Sequence, residues 1–277
     1  MPGMGDAMAC GAGAGDAPSH GPAHPFPRKR ENQCLLARIR EHHSASDGVM
    51  GMPRMLEELS DEGETASPNR IARIMANAGI QGIPQRRQWR RKASGVRPAD
   101  VRDHLERDFN ATEPNTKWVT DITYIHTAEG WLYLCVVIDL FGGKVIGWSM
   151  STIQDRHLVL KAVLMACWQR PGRQPVILHS DRGTQFTSSA CEKFLKGHYI
   201  TLSMSRVGHC GDNAAAEGFF GMLKRERVNR RKYRTIDDAR ADIFDYIEGF
   251  HNPRIQRRLD SQARGVNTFS KLSAKTG

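Results

Sequence analysis

The sequence contains no Cys-x-x-Cys pair, although its 277 residues include six cysteines. The six are scattered along the whole chain, at Cys10, Cys34, Cys135, Cys167, Cys191 and Cys210. Such scattering excludes a zinc finger with paired ligands and argues against a disulfide framework. We therefore expect reduced thiols in a cytosolic protein.

Long apolar runs are also missing from the sequence. No stretch reaches the roughly 18 uncharged apolar residues that a membrane-spanning helix needs. The N-terminus lacks a charged region followed by an apolar one, which a secretory signal would contain. We therefore expect no membrane partner and no export.

Acidic residues are outnumbered in this chain. Lys and Arg total 40 against 30 Asp and Glu, which gives a net charge of +10. This excess favours a polyanionic partner such as nucleic acid, although a solvated basic surface without a partner fits the charge as well. With 39% apolar residues, the chain can bury a core for one main domain with small appendages.

The N-terminal part of the chain divides into two segments. Residues 1–31 begin with a Gly-, Ala- and Pro-rich stretch without periodicity, which predicts a disordered low-complexity leader. Residues 32–84 have helical periodicity, and Ser67 before Pro68 predicts a helix start while Gly79 predicts its end. Two short helices around the intervening turn predict a helix-turn-helix-like domain, although a helical hairpin used only for packing gives the same pattern.

Residues 85–107 form a basic linker that contains the run RRQWRRK. The run places Trp89 among five cations, namely Arg86, Arg87, Arg90, Arg91 and Lys92. These cations can follow DNA phosphates while the indole stacks on a base. A charge run that is merely solvated is the alternative interpretation.

Residues 108–250 alternate between strand and helix patterns. Three runs, WVTDITYI, WLYLCVVIDL and KVIGWSM, predict a meander of antiparallel strands, and PVILHSD and ITLSMS predict two further strands between helices. The order predicts an α/β fold with a mixed five-stranded sheet flanked by helices. Residues 251–277 form a basic C-terminal tail. The tryptophans of the core and its helices, Trp118, Trp131, Trp148 and Trp168, are most simply buried.

Three acids occupy unusual positions in this core. Asp121 lies within the first strand, Asp181 ends the apolar run VIL, and Glu217 lies one turn after Asn213, the expected N-cap of the last core helix. Carboxylates clustered without Cys or His suit Mg²⁺ or Mn²⁺. Two such ions about 3.5 to 4 Å apart can activate an attacking oxygen and stabilise a leaving one at phosphorus. Three of thirty acids can, however, be grouped in this way by chance.

Neighbouring polar residues receive more modest interpretations. Lys224 lies two helical turns after Glu217, so it can hold a phosphate beside the metal site, and it opens a basic stretch that reaches Arg234. His179 is most simply a satisfied structural histidine, and Asn213 a helix cap that can also orient Glu217. Asp139 is set aside as a metal ligand.

The core motifs resemble the catalytic core of DDE transposases of the IS-three insertion-sequence family. The motifs are WVTDITYI with EGWLYLCVVIDLFGGKVIGWSM, then ILHSDRGTQFTS, then SMSRVGHCGDNAAAEGFFGMLKRE, in that order. The intervals match as well, since 59 residues separate Asp121 from Asp181 and 35 separate Asp181 from Glu217. The segments DGVMGMPRMLEELSDEG and NRIARIMANAGIQGI resemble the helix-turn-helix unit that precedes the core in the second-frame product of these elements.

The resemblance implies an RNase H-like fold and a transposase that cuts and joins DNA. Its metal-binding catalytic triad would be Asp121, Asp181 and Glu217, with Mg²⁺ or Mn²⁺, two ions in all. Expected DNA contacts are Lys224, Arg225 and Arg227, together with the basic linker residues. Expected partners are the terminal repeats of the element, target DNA, further copies of the chain in the reacting complex, and a first-frame transposase product. The expected location is the bacterial cytoplasm, in association with the nucleoid.

Two alternatives remain at this stage. A non-catalytic DNA-binding remnant of a transposase fits the unusual leader and the missing first-frame segment. A general RNase H-type nuclease shares the chemistry but does not need the helix-turn-helix.

The C-terminal tail departs from the family pattern, since it lacks the Tyr-Asn-x-x-Arg-x-His segment and the Ser-Pro pair of many relatives.

Overall fold

The structure is a computed structural model that describes residues 25–84, 110–180, 189–204 and 213–273. Several residues singled out in the sequence lie outside these ranges. They are Asp181, most of the leader, and the linker cations Arg86, Arg87, Arg90, Arg91 and Lys92.

Three helices form the N-terminal unit: α1 (Pro25–Ala45), α2 (Met52–Asp61) and α3 (Pro68–Asn77). Ser67 caps α3 by accepting a hydrogen bond from the Arg70 backbone nitrogen, and Gly79 follows the helix with a φ of +66°, as predicted. The helices enclose a small core of Leu35, Ile39, Met55, Leu59, Ile71, Ile74 and Met75. The helix α1 begins within residues 25–31, which the sequence pattern placed in the leader.

The central sheet has five strands in the order β3-β2-β1-β4-β5. Strands β1 (Lys117–Thr127), β2 (Gly130–Asp139) and β3 (Lys144–Ser151) form the predicted antiparallel meander. Strands β4 (Val176–Ser180) and β5 (Ile200–Met204) pair in parallel, β4 with β1 and β5 with β4. The mixed five-stranded sheet predicted from the sequence is therefore confirmed.

Helices cover both faces of the sheet. On one face, α4 (Arg156–Gln169) and α5 (Ser189–Gly197) pack on a core that includes Trp118. Close packing there requires Gly147, because a Cβ atom at this position would lie 2.2 Å from the Ala162 carbonyl oxygen. On the other face, α6 (Ala214–Glu226) and α7 (Ile236–Phe244) bury a second core. None of the helices in the described ranges is long and apolar enough to span a membrane.

The C-terminal residues continue the helical layer. A 3-10 turn (Val228–Arg230) leads towards α7, which passes through a π-helical turn (Asp245–His251) into α8 (Asn252–Ser273). The region expected as a basic tail thus forms α8 over most of its length. The Asn252 amide exchanges two hydrogen bonds with the backbone of Val145, of 3.0 and 2.9 Å, on the edge strand β3. These bonds protect an edge that could otherwise pair with another chain.

Candidate active site at the end of the parallel strand pair

Asp121 lies in β1 opposite Val136 of β2. The pairing is regular along β1, so alternate side chains share a face, and Val119 and Ile125 belong to the core under α6. Asp121 therefore lies on the same face as α6, as the sequence predicted. One carboxylate oxygen accepts a hydrogen bond of 2.8 Å from the Ile122 backbone nitrogen.

The parallel pairing of β1 with β4 fixes the residues that precede the second predicted acid, Asp181. Val119 pairs with His179, and Thr120 pairs with Ser180, where β4 ends. Asp181 follows Ser180 directly but is outside the described residues. The structure therefore places the residues that precede Asp121 and Asp181 side by side.

Glu217 is exposed in the first turn of α6. The helix buries Ala216, Phe219, Phe220 and Leu223 against β1 and β2, and this apolar face fixes its orientation. Glu217 follows the buried Ala216, so its side chain lies outside the buried face of α6, near the N-terminal end of the helix. Of the three predicted acids, two thus lie within the described residues, on elements that pack against each other.

Asn213 precedes α6 and is buried, at 5% exposure. It occupies the predicted N-cap position, and its carbonyl accepts a 3.0 Å bond from the Glu217 backbone nitrogen. Its side chain, however, forms no capping bond, and within the described residues neither Oδ1 nor Nδ2 has a hydrogen-bond partner. The side-chain cap predicted from the sequence is therefore wrong. A buried amide group without a partner costs about 1 to 3 kcal/mol.

Lys224 extends from α6 over β1. Its Nζ lies 5.0 Å from the centre of the Tyr124 ring, a cation–π contact. No ion pair involves Lys224 within the ranges that the structure describes. Its ammonium group is thus held beside the strand of Asp121.

The next two arginines of α6 have partners inside the protein. Arg225 donates to the Glu226 carboxylate at 3.0 Å. Arg227 is buried and binds Asp242 at 3.1 Å and Asp245 at 2.9 Å. These contacts use the guanidinium of Arg227 to hold α7, so we do not include it in a DNA-binding surface.

Two cations that were not singled out lie near the turn between β1 and β2. Lys232 and Arg234 are exposed and flank Tyr233, whose carbonyl accepts a 3.0 Å bond from the Ala128 backbone nitrogen. Both residues belong to the basic stretch after Lys224. No local pattern in the sequence indicated that this stretch contacts the β1–β2 hairpin.

His179 and Asp139 have the structural roles expected of them. His179 is fully buried, and its Nδ1 lies 3.2 Å from the Ser203 hydroxyl. Asp139 accepts hydrogen bonds from the backbone nitrogens of Asn115 and Phe141. Burial raises the pKa of Asp139 above its ordinary value, against the effect of these two bonds.

The donor set at this end of the sheet suits a hard divalent cation. Asp121 and Glu217 offer carboxylate oxygens, the ligands that such a cation prefers. Burial raises the pKa of the nearby Cys135 thiol to about 12, which keeps it protonated and unsuitable for a metal. Among the described residues, no three His, Cys, Asp or Glu side chains cluster closely enough to hold an ion.

Comparison with known proteins identifies both parts of the chain. A family model described as an integrase core domain matches residues 111–210, and a second one of that description matches residues 217–266. A model described as an HTH-like domain matches residues 29–88.

Curated relatives decide the family. The chain is 41% identical over 210 residues to "Transposase InsF for insertion sequence IS3A" of Escherichia coli strain K12, covering 73% of this chain and 70% of the relative. It is 35% identical over 234 residues to the "Transposase for insertion sequence element IS904" of Lactococcus lactis, covering 83% and 91%. The chain belongs to the IS3 family of transposases. The sheet is the RNase H-like sheet of their integrase core, as the resemblance implied.

Solved structures align over part of this IS3-family chain. The HTLV-2 integrase catalytic core in complex with magnesium is 20% identical, with a TM-score of 0.39, covering 50% of this chain and 89% of that one. The catalytic domain of Mos1 mariner transposase is 12% identical, with a TM-score of 0.43, covering 52% and 76%.

Proposed function

We propose that the protein cuts DNA at the ends of its insertion sequence and joins the freed strands to a target, with Asp121, Asp181 and Glu217 as the metal-binding triad. The observation that carries the proposal is the pairing of Thr120 with Ser180. Each of these residues directly precedes one aspartate of the triad.

Covalent geometry supports the proposed position of Asp181. Consecutive Cα atoms lie about 3.8 Å apart, so the chain after Ser180 starts next to the chain after Thr120. Glu217 enters from α6, which packs on the face of β1 that carries Asp121. Carboxylates from a strand, a strand end and a helix would then converge on one cation site.

Magnesium or manganese fits this donor set, and we propose two ions. When bound, such ions lower the pKa of an attacking water and stabilise the oxygen that leaves phosphorus. The carboxylates of Asp121 and Glu217 would hold the ions.

DNA would be held by cations on the same side of the core. Lys224, Lys232 and Arg234 have no ion pair within the described ranges, and Arg225 lies next to Lys224 on α6. The linker cations Arg86, Arg87, Arg90, Arg91 and Lys92 would extend this contact towards the helix-turn-helix unit. Because phosphate contacts release counterions, binding should weaken with salt by roughly one log-log slope unit per contact.

We also propose the partners implied by this reaction. Terminal repeats would be bound by the helix-turn-helix unit, and the core would act on these ends and on target DNA. Two ends must be brought together, so further copies of the chain would assemble in the reacting complex, with a first-frame product as an additional partner. The cytoplasm, at the nucleoid, is the expected location.

The triad is tested with Asp121→Asn and Asp181→Asn. Purified protein, alone and fused to a first-frame partner, is incubated with labelled terminal-repeat DNA and Mg²⁺ or Mn²⁺. Both variants should bind DNA with unchanged affinity but lose cleavage and joining by about two orders of magnitude or more, as expected when catalytic charge stabilisation is removed. Asp237→Asn is the matched control, because that carboxylate is 90% exposed on α7.

Two outcomes would contradict the proposal. Strand joining retained by Asp121→Asn or Asp181→Asn would remove that residue from the site. Binding without cleavage by both wild-type forms would instead favour a non-catalytic DNA-binding remnant of a transposase.

A further inference from the structure

Three aromatic rings lie together on the exposed part of the β1–β2 hairpin. Trp131 contacts Tyr124 with ring centroids 5.1 Å apart and His126 with centroids 4.9 Å apart, both nearly perpendicular. Tyr124 is 58% exposed and Trp131 is 48% exposed. We call these three residues the aromatic shelf. The expectation that Trp131 is buried is therefore wrong.

The burial of this hairpin changes along its length. Trp118, on the same face of β1, lies fully buried beneath the layer of α4 and α5. Tyr124 and His126 are exposed beyond that layer. Cross-strand aromatic pairs stabilise a hairpin, but that role does not require about half of the Trp131 surface to face solvent.

The aromatic shelf lies on the strand that carries Asp121, but on the opposite face of the sheet. Tyr124 follows Asp121 by three residues in the same strand, which is about 10 Å along β1. In the described ranges, β1 pairs with β4 only as far as Thr120, so the strand edge beyond it is not covered by β4. Lys224 reaches across from α6 to the ring of Tyr124 at this edge.

Positive charge surrounds the aromatic shelf. Lys224 lies over Tyr124, and Lys232 and Arg234 flank the backbone contact of Tyr233 with the hairpin turn. Glu129, an acid of the turn, accepts a 2.8 Å hydrogen bond from the Ile236 backbone nitrogen. Exposed rings with nearby cations form the combination that binds single-stranded nucleic acid, through base stacking and phosphate contacts.

We infer that the aromatic shelf binds unpaired bases of a DNA strand that passes around the open edge of β1 from the catalytic centre. This inference rests on the proposed function, in which a DNA end is cut and joined at that centre. The bases stack on Trp131 and Tyr124, and Lys224, Lys232 and Arg234 contact the phosphates. The aromatic shelf thereby holds one strand away from the reacting phosphodiester.

The test measures binding by the full chain without divalent cations. The probes are an oligothymidylate of about a dozen nucleotides, an abasic oligonucleotide of equal length and a blunt duplex. The variants are Trp131→Leu, which keeps apolar volume without a ring, and Trp131→Phe, which keeps a ring. Trp168→Leu is the matched control, since Trp168 is 78% exposed on α4. Thermal unfolding of each variant verifies the fold.

Wild-type protein and Trp131→Phe should bind the oligothymidylate more tightly than the abasic strand. Trp131→Leu should weaken oligothymidylate binding by about tenfold, the effect of one lost stacked base. Its affinity for the abasic strand and for the duplex should stay within about twofold of the wild-type value. Trp168→Leu should match the wild type with all three probes.

Two results would overturn the inference. One is an unchanged preference for bases over abasic sites in Trp131→Leu. The other is a change in the oligomeric state of Trp131→Leu, measured by sedimentation, without a change in strand binding, which would make the aromatic shelf a contact between copies of the chain. Because the assay needs no metal, its failure is distinct from retained joining by Asp121→Asn, which would contradict the triad instead.

Discussion

His251 links the C-terminal helices to the helix that carries Glu217. It is buried, and its Nε2 lies 3.1 Å from the Gly143 carbonyl oxygen. The centroid of its ring lies 4.9 Å from the centroid of the Phe219 ring in α6. Burial lowers the pKa of His251 from 6.5 to about 4 in the folded protein. The imidazole therefore stays neutral in the fold at pH values where the unfolded chain binds a proton.

The resulting pH dependence has a definite sign. Between about pH 6.5 and pH 4 the unfolded chain binds more protons than the folded protein. The free energy of unfolding should therefore decrease as the pH is lowered through this range, by about 3 kcal/mol in total from this residue. Urea unfolding at about pH 7 and about pH 5 measures the change. His251→Gln should reduce this dependence, whereas His198→Gln, at a partly exposed histidine, should retain it. Equal slopes for both variants would exclude His251 as the cause.

Sequence reasoning singles out residues whose chemistry conflicts with their surroundings. A carboxylate within an apolar strand identified Asp121, because such a position is costly without a compensating partner. It failed where tertiary packing decides: Trp131 has the same strand pattern as Trp118, yet only Trp118 lies under a helix. The unpaired amide of Asn213 could not be predicted either, because its isolation depends on how α6 meets the sheet.

At the scale of elements, periodicity and capping signals defined most helices and strands. The Ser67–Pro68 start of α3 and the alternation in β1 are local signals, so they were visible in the sequence. The sequence did not indicate that α7 continues into α8 through a π-helical turn. At this junction Asn252 binds the edge strand β3, a contact between residues far apart in the sequence. A tail region with few apolar residues gave no hint of this contact.

The helix α3 has a polar face suited to the major groove of DNA. Asn69, Arg73 and Asn77 are exposed at helical spacing, while Ile71, Ile74 and Met75 face the core. Arg reads guanine and Asn reads adenine through paired hydrogen bonds, each worth about 1 to 3 kcal/mol of discrimination. The second helix of a helix-turn-helix is the one that enters the groove.

Arg73→Ala should therefore reduce the preference for terminal-repeat DNA by about tenfold or more, with little effect on unrelated duplexes. Fluorescence anisotropy with both duplexes at one salt concentration measures the ratio. Arg70→Ala is the matched control, because Arg70 is engaged with Asn32 at 2.9 Å and Glu31 at 3.0 Å. If Arg73→Ala weakened both duplexes equally, Arg73 would be a phosphate contact rather than a reader of bases.

At the scale of the whole molecule, ionic contacts connect the helix-turn-helix unit to the core. Arg54 of α2 binds Glu226 of α6 at 2.9 Å, and Glu58 of α2 binds Arg257 of α8 at 2.7 Å. Glu226 is 2% exposed and also accepts a 2.8 Å bond from the Tyr246 hydroxyl. Burial raises the pKa of Glu226, but the hydrogen bond and charge of Arg54 outweigh it, so the pKa lies below its ordinary value.

These contacts join the helix-turn-helix unit to the core through α6 and α8. The helix α6 carries Glu217 near its N-terminal end and Glu226 at its C-terminal end. In the proposed function, a terminal repeat bound by α3 would be positioned relative to the catalytic centre through the pair of Arg54 and Glu226. No single sequence motif could indicate this pair, because its partners lie 172 positions apart in the chain.

Removing Arg54 should be costly, because a buried carboxylate loses its main counter-charge. Arg54→Ala should lower the free energy of unfolding by about 3 kcal/mol, and Glu226→Gln in that background should cost much less than it does alone. Urea unfolding of the two single variants and the double variant measures this coupling. Arg38→Ala is the matched control, since Arg38 pairs with Glu62 and Glu64 near the surface and should cost about 1 kcal/mol or less. If Arg54→Ala and Arg38→Ala were equally mild, or if the double variant showed simple additivity, the buried pair would not hold the two units together.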